Sequence, residues 1–287
     1  MRVAALSDIH GNLPALEAVL AELEDDNPDL IVFGGDVASG PMPAETIALL
    51  MTLPRARFVL GNADGGLIDE FDGAPQLPMP GPFADWCAKQ ITREQRDFLA
   101  SFEPMVTVED VDGAGKVVFC HATPRNNVDV MTVETPLERM RFHLAGVDSD
   151  VVVCGHTHMQ FDRMVDRIRV VNAGSVGMPY GSPGAYWAML GPELTLRRTD
   201  YDREAAARRI RAMDWPNADE FATRNVLDVP SVDEAMEFMR KMEAKQVEAK
   251  REDFPRRPAL AAPSSLAFPA RAQLLDRLLR RPGLGRL

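Results

Sequence analysis

Short apolar runs alternate with amphipathic stretches along the first part of the chain. The runs RVAALSD and DLIVFGGD are typical of buried strands that end at an aspartate. Between them, apolar residues recur at helical spacing from Leu13 to Leu23, with Asn12 as the N-cap and Pro14 near the first turn. Ala44 to Leu53 predicts a second helix, and ARFVLGN predicts a third strand. This alternation of strands and helices predicts a mainly parallel sheet covered by helices.

The second half of this region is richer in strands. TREQRDFLASF predicts a helix with Thr92 as its N-cap, and Pro136 to Ala145 predicts another. Strands are predicted at KVVFCH, DVVVCGH, IRVVNAG, AYWAMLG and ELTLRRT, and a surface loop at residues 72–81. Residues 1–200 therefore predict one α/β domain in which two sheets are flanked by helices.

The pattern changes after residue 200. Residues 201–249 predict a helical extension packed on the domain, with helices over Arg203 to Met213 and Val232 to Lys250. Residues 250–287 are rich in Pro, Ala and Arg, and their nine Lys or Arg against three Asp or Glu give a net charge of +6. We expect a mobile tail, or a short helix at PARAQLLDRLLRR that docks on the acidic body. A helix that binds a membrane surface or a partner is the alternative.

Composition narrows the function classes. The net charge of -11 argues against stable binding to nucleic acid or to a membrane surface, because both need a positive field. The three cysteines, Cys87, Cys120 and Cys154, form neither a disulfide framework nor a structural zinc motif. No apolar stretch approaches the roughly 18 residues of a membrane span, and the first residues do not resemble a signal peptide. We expect a cytoplasmic protein, and a homo-oligomer stays open.

Most of the predicted strands are followed by residue types that bind metals. Because ligands bind outside the carboxyl ends of parallel strands, these residues should converge. Imidazole together with carboxylate suits transition metals, and the donors are too many for one ion but sufficient for two that share a bridging ligand. Two ions about 3.5–4 Å apart can ionise a water and clamp phosphate oxygens. The residues are Asp8, His10, Asp36, Asn62, Asp64, His121, His156 and His158.

Each motif taken alone allows a plainer interpretation. His156 and His158 would face opposite ways on an extended chain, so a turn is needed, and Gly155 makes one plausible. His143 lies at helical spacing and is predicted to be structural. Four of the five histidines nevertheless end apolar strands, which favours a shared site. The plainer roles are a turn or helix cap for Asp36, a core histidine for His121 and a turn for Asn62.

The order of the motifs resembles a known family. D-x-H, G-G-D, G-N-x-D, a lone H and G-H-T-H, in this order over residues 1–200, resemble the calcineurin-like metallophosphoesterase superfamily. The resemblance is strongest to its small bacterial and archaeal branch of phosphodiesterases and diadenosine-tetraphosphatase-like phosphatases. It implies a four-layer α/β/β/α sandwich with two mixed sheets, a pair of Mn, Fe, Zn or Ni ions, and a hydroxide between them that attacks phosphorus in line.

The resemblance also implies which residues hold each ion. NAGSVG, at residues 172–177, matches a loop that lies near the site in this family. Asp36 would bridge both ions. The first ion would be held by Asp8, His10 and His158, and the second by Asn62, His121 and His156.

One departure bears on the substrate. Many relatives have G-N-H-D or G-N-H-E, whose histidine can protonate the leaving oxygen, whereas this chain has Ala63 followed by Asp64. General acid catalysis contributes about 10²–10⁴-fold, so its loss favours good leaving groups. Asn62 and Asp64 are the candidate catalytic residues, although a turn or N-cap role is the plainer interpretation of Asp64. Asn62, Arg125 and Asn126 are the candidate substrate contacts.

These observations predict a binuclear metal-dependent phosphoric ester hydrolase that acts on a small phosphodiester or a nucleotide. The alternative is a non-catalytic scaffold or protein-interaction module on the same fold, which a retromer subunit resembles. A metal-dependent amidohydrolase barrel is a third hypothesis, but the chain lacks an early H-x-H motif and eight βα units. We expect the pocket walls to come from a loop over Asp64–Phe83 and from residues 201–287.

Overall fold

The first of two five-stranded sheets carries the beginning of the chain. The computed structural model describes residues 1–74 and 83–252. The strand order is β10-β9-β1-β2-β3. Strands β1, β2 and β3 are parallel to one another, and β9 is antiparallel to both of its neighbours, β1 and β10. The strands are β1 (Val3–Leu6), β2 (Leu30–Phe33), β3 (Ala56–Phe58), β9 (Ala185–Leu190) and β10 (Thr195–Thr199).

The second sheet is also mixed. Its strand order is β4-β5-β6-β8-β7. The three inner strands are parallel, and the two edge strands are antiparallel to their neighbours. The strands are β4 (Met105–Val111), β5 (Gly115–Cys120), β6 (Val151–Cys154), β7 (Phe161–Val165) and β8 (Ile168–Asn172).

Helices connect and cover the strands. In the described residues, a π-helical turn at Ala222–Leu227 directly follows α8. The α-helices are α1 (Leu13–Asp26), α2 (Pro43–Met51), α3 (Asn62–Asp72), α4 (Ala84–Gln90), α5 (Arg93–Ala100), α6 (Leu137–Leu144), α7 (Arg203–Arg211), α8 (Ala218–Phe221) and α9 (Val232–Glu252).

Alternating side chains of the strands build the layers. Val3 and Ala5 of β1 pack between the sheets with Phe119 of β5. Ala4 and Leu6 belong to the core on the other face, which α1 covers. The outer face of the second sheet packs against α6. The expected α/β/β/α sandwich with two mixed sheets is confirmed.

The region after residue 200 packs on the first sheet's helices. Ile210 of α7 and Phe221 of α8 share a buried cluster with Leu13 and Met42. Residues 1–247 form one compact unit. The predicted tail helix lies in residues 253–287, outside the described residues. None of the described helices is long and apolar enough to cross a membrane.

Six elements were not predicted from the pattern, namely α3, α4, α8, the π-helical turn, β4 and β7. The expectation of a loop over Asp64–Phe83 is wrong for residues 64–72, which belong to α3, and α4 begins at Ala84. Gly65 and Gly66 weaken the helical signal in α3, but burial of Leu67 stabilises the helix. The edge strands β4 and β7 carry charged residues on their exposed sides, so short apolar runs do not reveal them.

Candidate metal centre

The seven predicted ligands converge on one buried site at the carboxyl ends of the parallel strands. The side chain of His158 is 10 % exposed, and the other six residues are buried. Asn62 opens α3 shortly after β3 ends. The remaining ligands follow strands directly: Asp8 and His10 after β1, Asp36 after β2, His121 after β5, and His156 and His158 after β6.

Five of these residues have a left-handed backbone conformation. The angle φ lies between +49° and +63° at Asp8, His10, Asp36, His156 and His158. Such a backbone costs about 1–3 kcal/mol at a non-glycine residue, so the surrounding structure must impose it, and strain of this kind concentrates at functional sites. The turn that directs His156 and His158 into the site is therefore formed by the left-handed backbone of the histidines themselves.

The first cluster consists of Asp8, His10 and His158. His158 Nε2 lies 3.3 Å from His10 Nε2 and 3.3 Å from Asp8 Oδ1. The opposite ring nitrogens face backbone carbonyls: His10 Nδ1 lies 3.2 Å from Ser39 O, and His158 Nδ1 lies 2.8 Å from Met178 O. These carbonyls orient the rings so that both Nε2 atoms point into the cluster.

The second cluster consists of Asp36, His121 and His156. His121 Nε2 lies 3.3 Å from Asp36 Oδ2 and 3.2 Å from His156 Nδ1. The Oδ1 atom of Asn62 lies 3.0 Å from His121 Nε2, which places this amide at the same cluster. His121 Nδ1 faces the carbonyl of Gly34 at 2.8 Å, so the ring is held from behind as in the first cluster.

Asp36 reaches both clusters. Its Oδ2 atom lies 3.3 Å from His121 Nε2 in the second cluster and 3.8 Å from His10 Nε2 in the first. Its Oδ1 atom accepts a hydrogen bond of 2.7 Å from the backbone N–H of Ala63. One carboxylate oxygen is thus fixed by the backbone while the other lies between the two clusters.

The pKa values of the two histidines in the second cluster shift in opposite directions. Burial lowers the pKa of His156 to about 4, and the charge of His121 adds to this. Burial also opposes protonation of His121, but the Asp36 and Asp8 carboxylates outweigh it and raise the pKa to about 10. A histidine must be deprotonated to bind a metal, so an ion that binds His121 displaces the proton that the neighbouring carboxylates favour there.

The donor chemistry fits two transition-metal ions. Within each cluster the candidate ligand atoms all lie within 4.8 Å of one another. His156 directs its Nδ1 atom at the second cluster, and its buried Nε2 atom has no hydrogen-bond partner among the described residues. Imidazole with carboxylate suits manganese, iron, zinc or nickel, whereas calcium prefers oxygen ligands alone.

Two glycines allow the backbone to approach the carboxylates. A Cβ atom on Gly155 would lie 2.4 Å from Asp8 Oδ2, and one on Gly61 would lie 2.1 Å from Asp36 Oδ1. Neither glycine has a left-handed backbone. Gly155 is therefore required for close packing against Ser7 and Asp8 rather than for a special backbone conformation.

Asp64 lies behind the site with its carboxylate bound to backbone amides. Its Oδ2 atom accepts from the N–H groups of Asp36 at 2.7 Å and Gly61 at 3.1 Å, and its Oδ1 atom accepts from Val37 at 2.9 Å. Burial and the nearby Asp36 carboxylate raise its pKa to about 7, against the effect of these N–H donors. The side chain is fully buried and holds the turn that carries Asp36.

The loop at residues 172–177 supports the same backbone. Asn172 donates to Gly155 O at 2.6 Å, and Ser175 Oγ donates to Asp8 O at 2.7 Å. Just beyond this loop, Tyr180 stacks on His158 with ring centroids 5.8 Å apart. Sequence reasoning did not find Tyr180, because nothing in its local sequence indicates a neighbour that lies 22 positions away.

Two of the three predicted substrate contacts, Arg125 and Asn126, differ in their surroundings. Asn126 Oδ1 accepts from the backbone N–H groups of Val128 and Asp129 at 3.1 and 2.8 Å, so this side chain holds its own loop. Arg125 is exposed. Its Nε–H donates to Phe142 O at 2.6 Å, and its guanidinium lies 4.2 Å from the centre of the Phe142 ring. Both residues line a cleft whose wall includes His121.

Helix α9 joins two segments beside the site. Near its start, Val232 packs against Gly181 of the Tyr180 segment, and Gly181 N donates to Pro230 O at 2.8 Å. Towards its end, Gln246 accepts from Val130 N at 2.9 Å and donates to Val128 O at 2.6 Å. The extension therefore supports segments that follow His158 and His121 in the chain.

Comparison with known sequences agrees with this geometry. The sequence model of the calcineurin-like phosphoesterase superfamily domain matches residues 1–192, which include all seven candidate ligands. An uncharacterized protein of Methanocaldococcus jannaschii, MJ0912, is 28% identical over 229 residues, covering 72% of this chain and 91% of that protein.

Solved structures show the same fold. A metallophosphoesterase from Sphaerobacter thermophilus is similar with a TM-score of 0.64 and 25% identity, and the match covers 80% of this chain and 99% of that one. The hypothetical protein PH1004 of Pyrococcus horikoshii has a TM-score of 0.64 at 19% identity with the same coverage, 80% and 99%, which supports the fold alone. The resemblance inferred from the order of the motifs is thereby confirmed.

Proposed function

Because the chain belongs to the calcineurin-like phosphoesterase superfamily, we propose that it is a binuclear metal-dependent hydrolase of small phosphodiesters or nucleotides. The observation that carries this proposal is the pair of buried clusters joined by Asp36. A complete donor set favours an enzyme over a scaffold, which would have no need to keep strained backbone at five ligands.

The proposed ligand assignment follows the two clusters. The chemistry that two such ions supply when bound is an ionised water for attack on phosphorus in line with the leaving group, together with withdrawal of charge from the phosphoryl oxygens. Manganese, iron, zinc and nickel all suit the donors. Asp8, His10 and His158 would hold the first ion, Asn62, His121 and His156 the second, and Asp36 both.

The chain's own residues restrict the leaving group. Ala63 offers no side-chain acid, and its backbone N–H is bound to Asp36. We assign Asp64 a positioning role, because all its hydrogen bonds go to backbone amides of the site. We expect turnover of esters whose leaving group departs as a stable anion, such as aryl phosphodiesters and nucleotides. Asn62 is proposed to contact a phosphoryl oxygen through its amide as well.

We propose the cytoplasm as the location. All three cysteines are buried free thiols. A reducing compartment keeps such thiols unpaired, whereas secreted proteins usually oxidise theirs to disulfides.

The test is metal content and turnover of paired variants. The purified protein should hold about two transition-metal ions per chain by mass spectrometry and should hydrolyse bis(4-nitrophenyl) phosphate. Asp36→Asn should lose about 10²-fold or more in kcat and bind metal more weakly, because a shared ligand is lost. Asp69→Asn, on a half-buried residue of α3 that belongs to neither cluster, is the control. Full turnover by Asp36→Asn, or a protein that binds no metal, would contradict the proposal.

A further inference from the structure

The segment that precedes Tyr180 is attached to the first cluster. Ser175 Oγ donates to Asp8 O at 2.7 Å, and Met178 O lies 2.8 Å from His158 Nδ1. Two residues of the cluster therefore fix the backbone that leads to Tyr180, and this backbone has little freedom to move away from the proposed metal site.

The ring of Tyr180 covers one face of His158. The two ring centroids lie 5.8 Å apart, and the ring planes are inclined by 27°. The backbone is also held after Tyr180, because Gly181 N donates to Pro230 O at 2.8 Å. Burial and the Asp8 carboxylate raise the pKa of Tyr180, which places its hydroxyl within electrostatic reach of that carboxylate. The phenol is thus fixed beside the first cluster.

The hydroxyl of Tyr180 differs from those of the other two tyrosines in the chain. Tyr186 donates to Ser182 O at 3.0 Å, and Tyr201 forms a hydrogen bond with the side chain of Asn12. Among the described residues, none forms a hydrogen bond with the hydroxyl of Tyr180. The residue is half-buried and its hydroxyl oxygen is not one of the buried polar atoms, so a ligand can reach it. A tyrosine hydroxyl usually finds a partner when it is buried.

A phosphoryl group at the clusters would give this hydroxyl an acceptor. The oxygens of a phosphoryl group carry negative charge, and two metal ions bind only some of them. The phenol is a donor at neutral pH, since its ordinary pKa is about 10. A hydrogen bond to a charged oxygen is shorter and stronger than one to a neutral acceptor, so an anionic phosphoryl oxygen is the favoured partner.

We infer that the hydroxyl of Tyr180 donates a hydrogen bond to a phosphoryl oxygen of the substrate at the first cluster, while its ring holds His158 in place. This inference rests on the proposed function, because the phosphoryl group must bind at the clusters for the hydroxyl to reach it. The two parts of the side chain act on different partners, the hydroxyl on the substrate and the ring on a metal ligand.

Tyr180→Phe separates the two parts, because it removes the hydroxyl and keeps the ring. Calorimetry with inorganic phosphate on the manganese-loaded protein measures the contact without turnover. The variant should retain as much metal as the wild type by mass spectrometry. It should bind phosphate about 10–100-fold more weakly, as expected for loss of one hydrogen bond to a charged group. Tyr186→Phe removes a hydroxyl that donates to Ser182 O on the same segment and should bind phosphate as the wild type does.

Turnover of aryl phosphodiesters with increasingly basic leaving groups locates the contact. Tyr180→Phe should lower kcat/KM by a similar factor for all of these esters, because the lost hydrogen bond is to a phosphoryl oxygen. A loss that grows with the basicity of the leaving group would place the hydroxyl at the leaving oxygen instead and overturn the inference. Loss of metal in Tyr180→Phe would also overturn it, as would an equal loss of phosphate affinity in Tyr186→Phe.

The phosphate measurement also distinguishes the two levels of the argument. If the metal-loaded wild-type protein binds no phosphate, the proposed phosphoryl site is wrong and the role of Tyr180 falls with it. If the wild type binds phosphate and Tyr180→Phe binds it equally well, only the role of Tyr180 is wrong.

Discussion

The substitution Asp64→Asn tests whether Asp64 positions the site or acts as a general acid. In Asp64→Asn the amide keeps a single oxygen, whereas the carboxylate accepts three backbone N–H groups through two oxygens. If the remaining oxygen keeps the Asp36 and Gly61 donors, the new NH₂ group meets the N–H of Val37. Two donors then face each other in a buried site.

The magnitude follows from these contacts. A hydrogen bond to a charged group contributes about 1.5–3 kcal/mol, and an unsatisfied buried N–H costs about 1–3 kcal/mol. Burial and the neighbouring Asp36 carboxylate raise the pKa of Asp64 to about 7, so removal of the negative charge of Asp64 offsets part of this loss. We expect a net destabilisation of about 1–3 kcal/mol. The turn that carries Asp36 should loosen, and metal affinity should fall about 10–100-fold, as is typical when a residue that orients a ligand is lost.

Two measurements decide between the roles. Urea unfolding at pH 8 gives the change in stability, and mass spectrometry after dialysis against limiting chelator gives the retained metal. Asp69→Asn on the same helix controls for loss of one carboxylate. A variant with wild-type stability and metal content, whose kcat falls more steeply as the leaving group becomes more basic, would show that Asp64 acts as an acid and that its positioning role is wrong.

Three further substitutions or treatments test other parts of the site. Gly155→Ala should displace both Ser7 and the Asp8 carboxylate, because its Cβ would lie 2.0 Å from Ser7 Oγ and 2.4 Å from Asp8 Oδ2; we expect overpacking of about 1–3 kcal/mol and loss of one bound ion per chain by mass spectrometry. Gln160→Glu should lower the free energy of unfolding by about 2–4 kcal/mol, measured by urea denaturation, because the amide donates to three backbone carbonyls that a carboxylate would repel. Thiol reagents at pH 8 should leave the native protein unmodified and should label three groups after denaturation, because burial raises the pKa of each thiol; rapid native labelling would contradict the burial of Cys87, Cys120 and Cys154.

Local pattern was sufficient for most of the inner strands. Runs such as VVVC are buried on both faces, so they are apolar throughout and stand out in the sequence. The edge strand β4 faces solvent on one side and mixes Val with Glu and Asp, so the same criterion misses it. Helix α3 was missed for a different reason: two adjacent glycines, Gly65 and Gly66, lie near its start, and the helix is held by burial and by the Asp64 carboxylate.

The sequence alone determined the ligand types, their order after successive strands and the family they resemble. Their pairing depends on tertiary structure, since His158 meets residues about 150 positions earlier and His156 meets His121. The role of Asp64, the left-handed backbone and the cleft beside His121 also depend on contacts between distant segments. These properties arise from packing, whereas the motifs arise from the chemistry that each side chain carries wherever it lies.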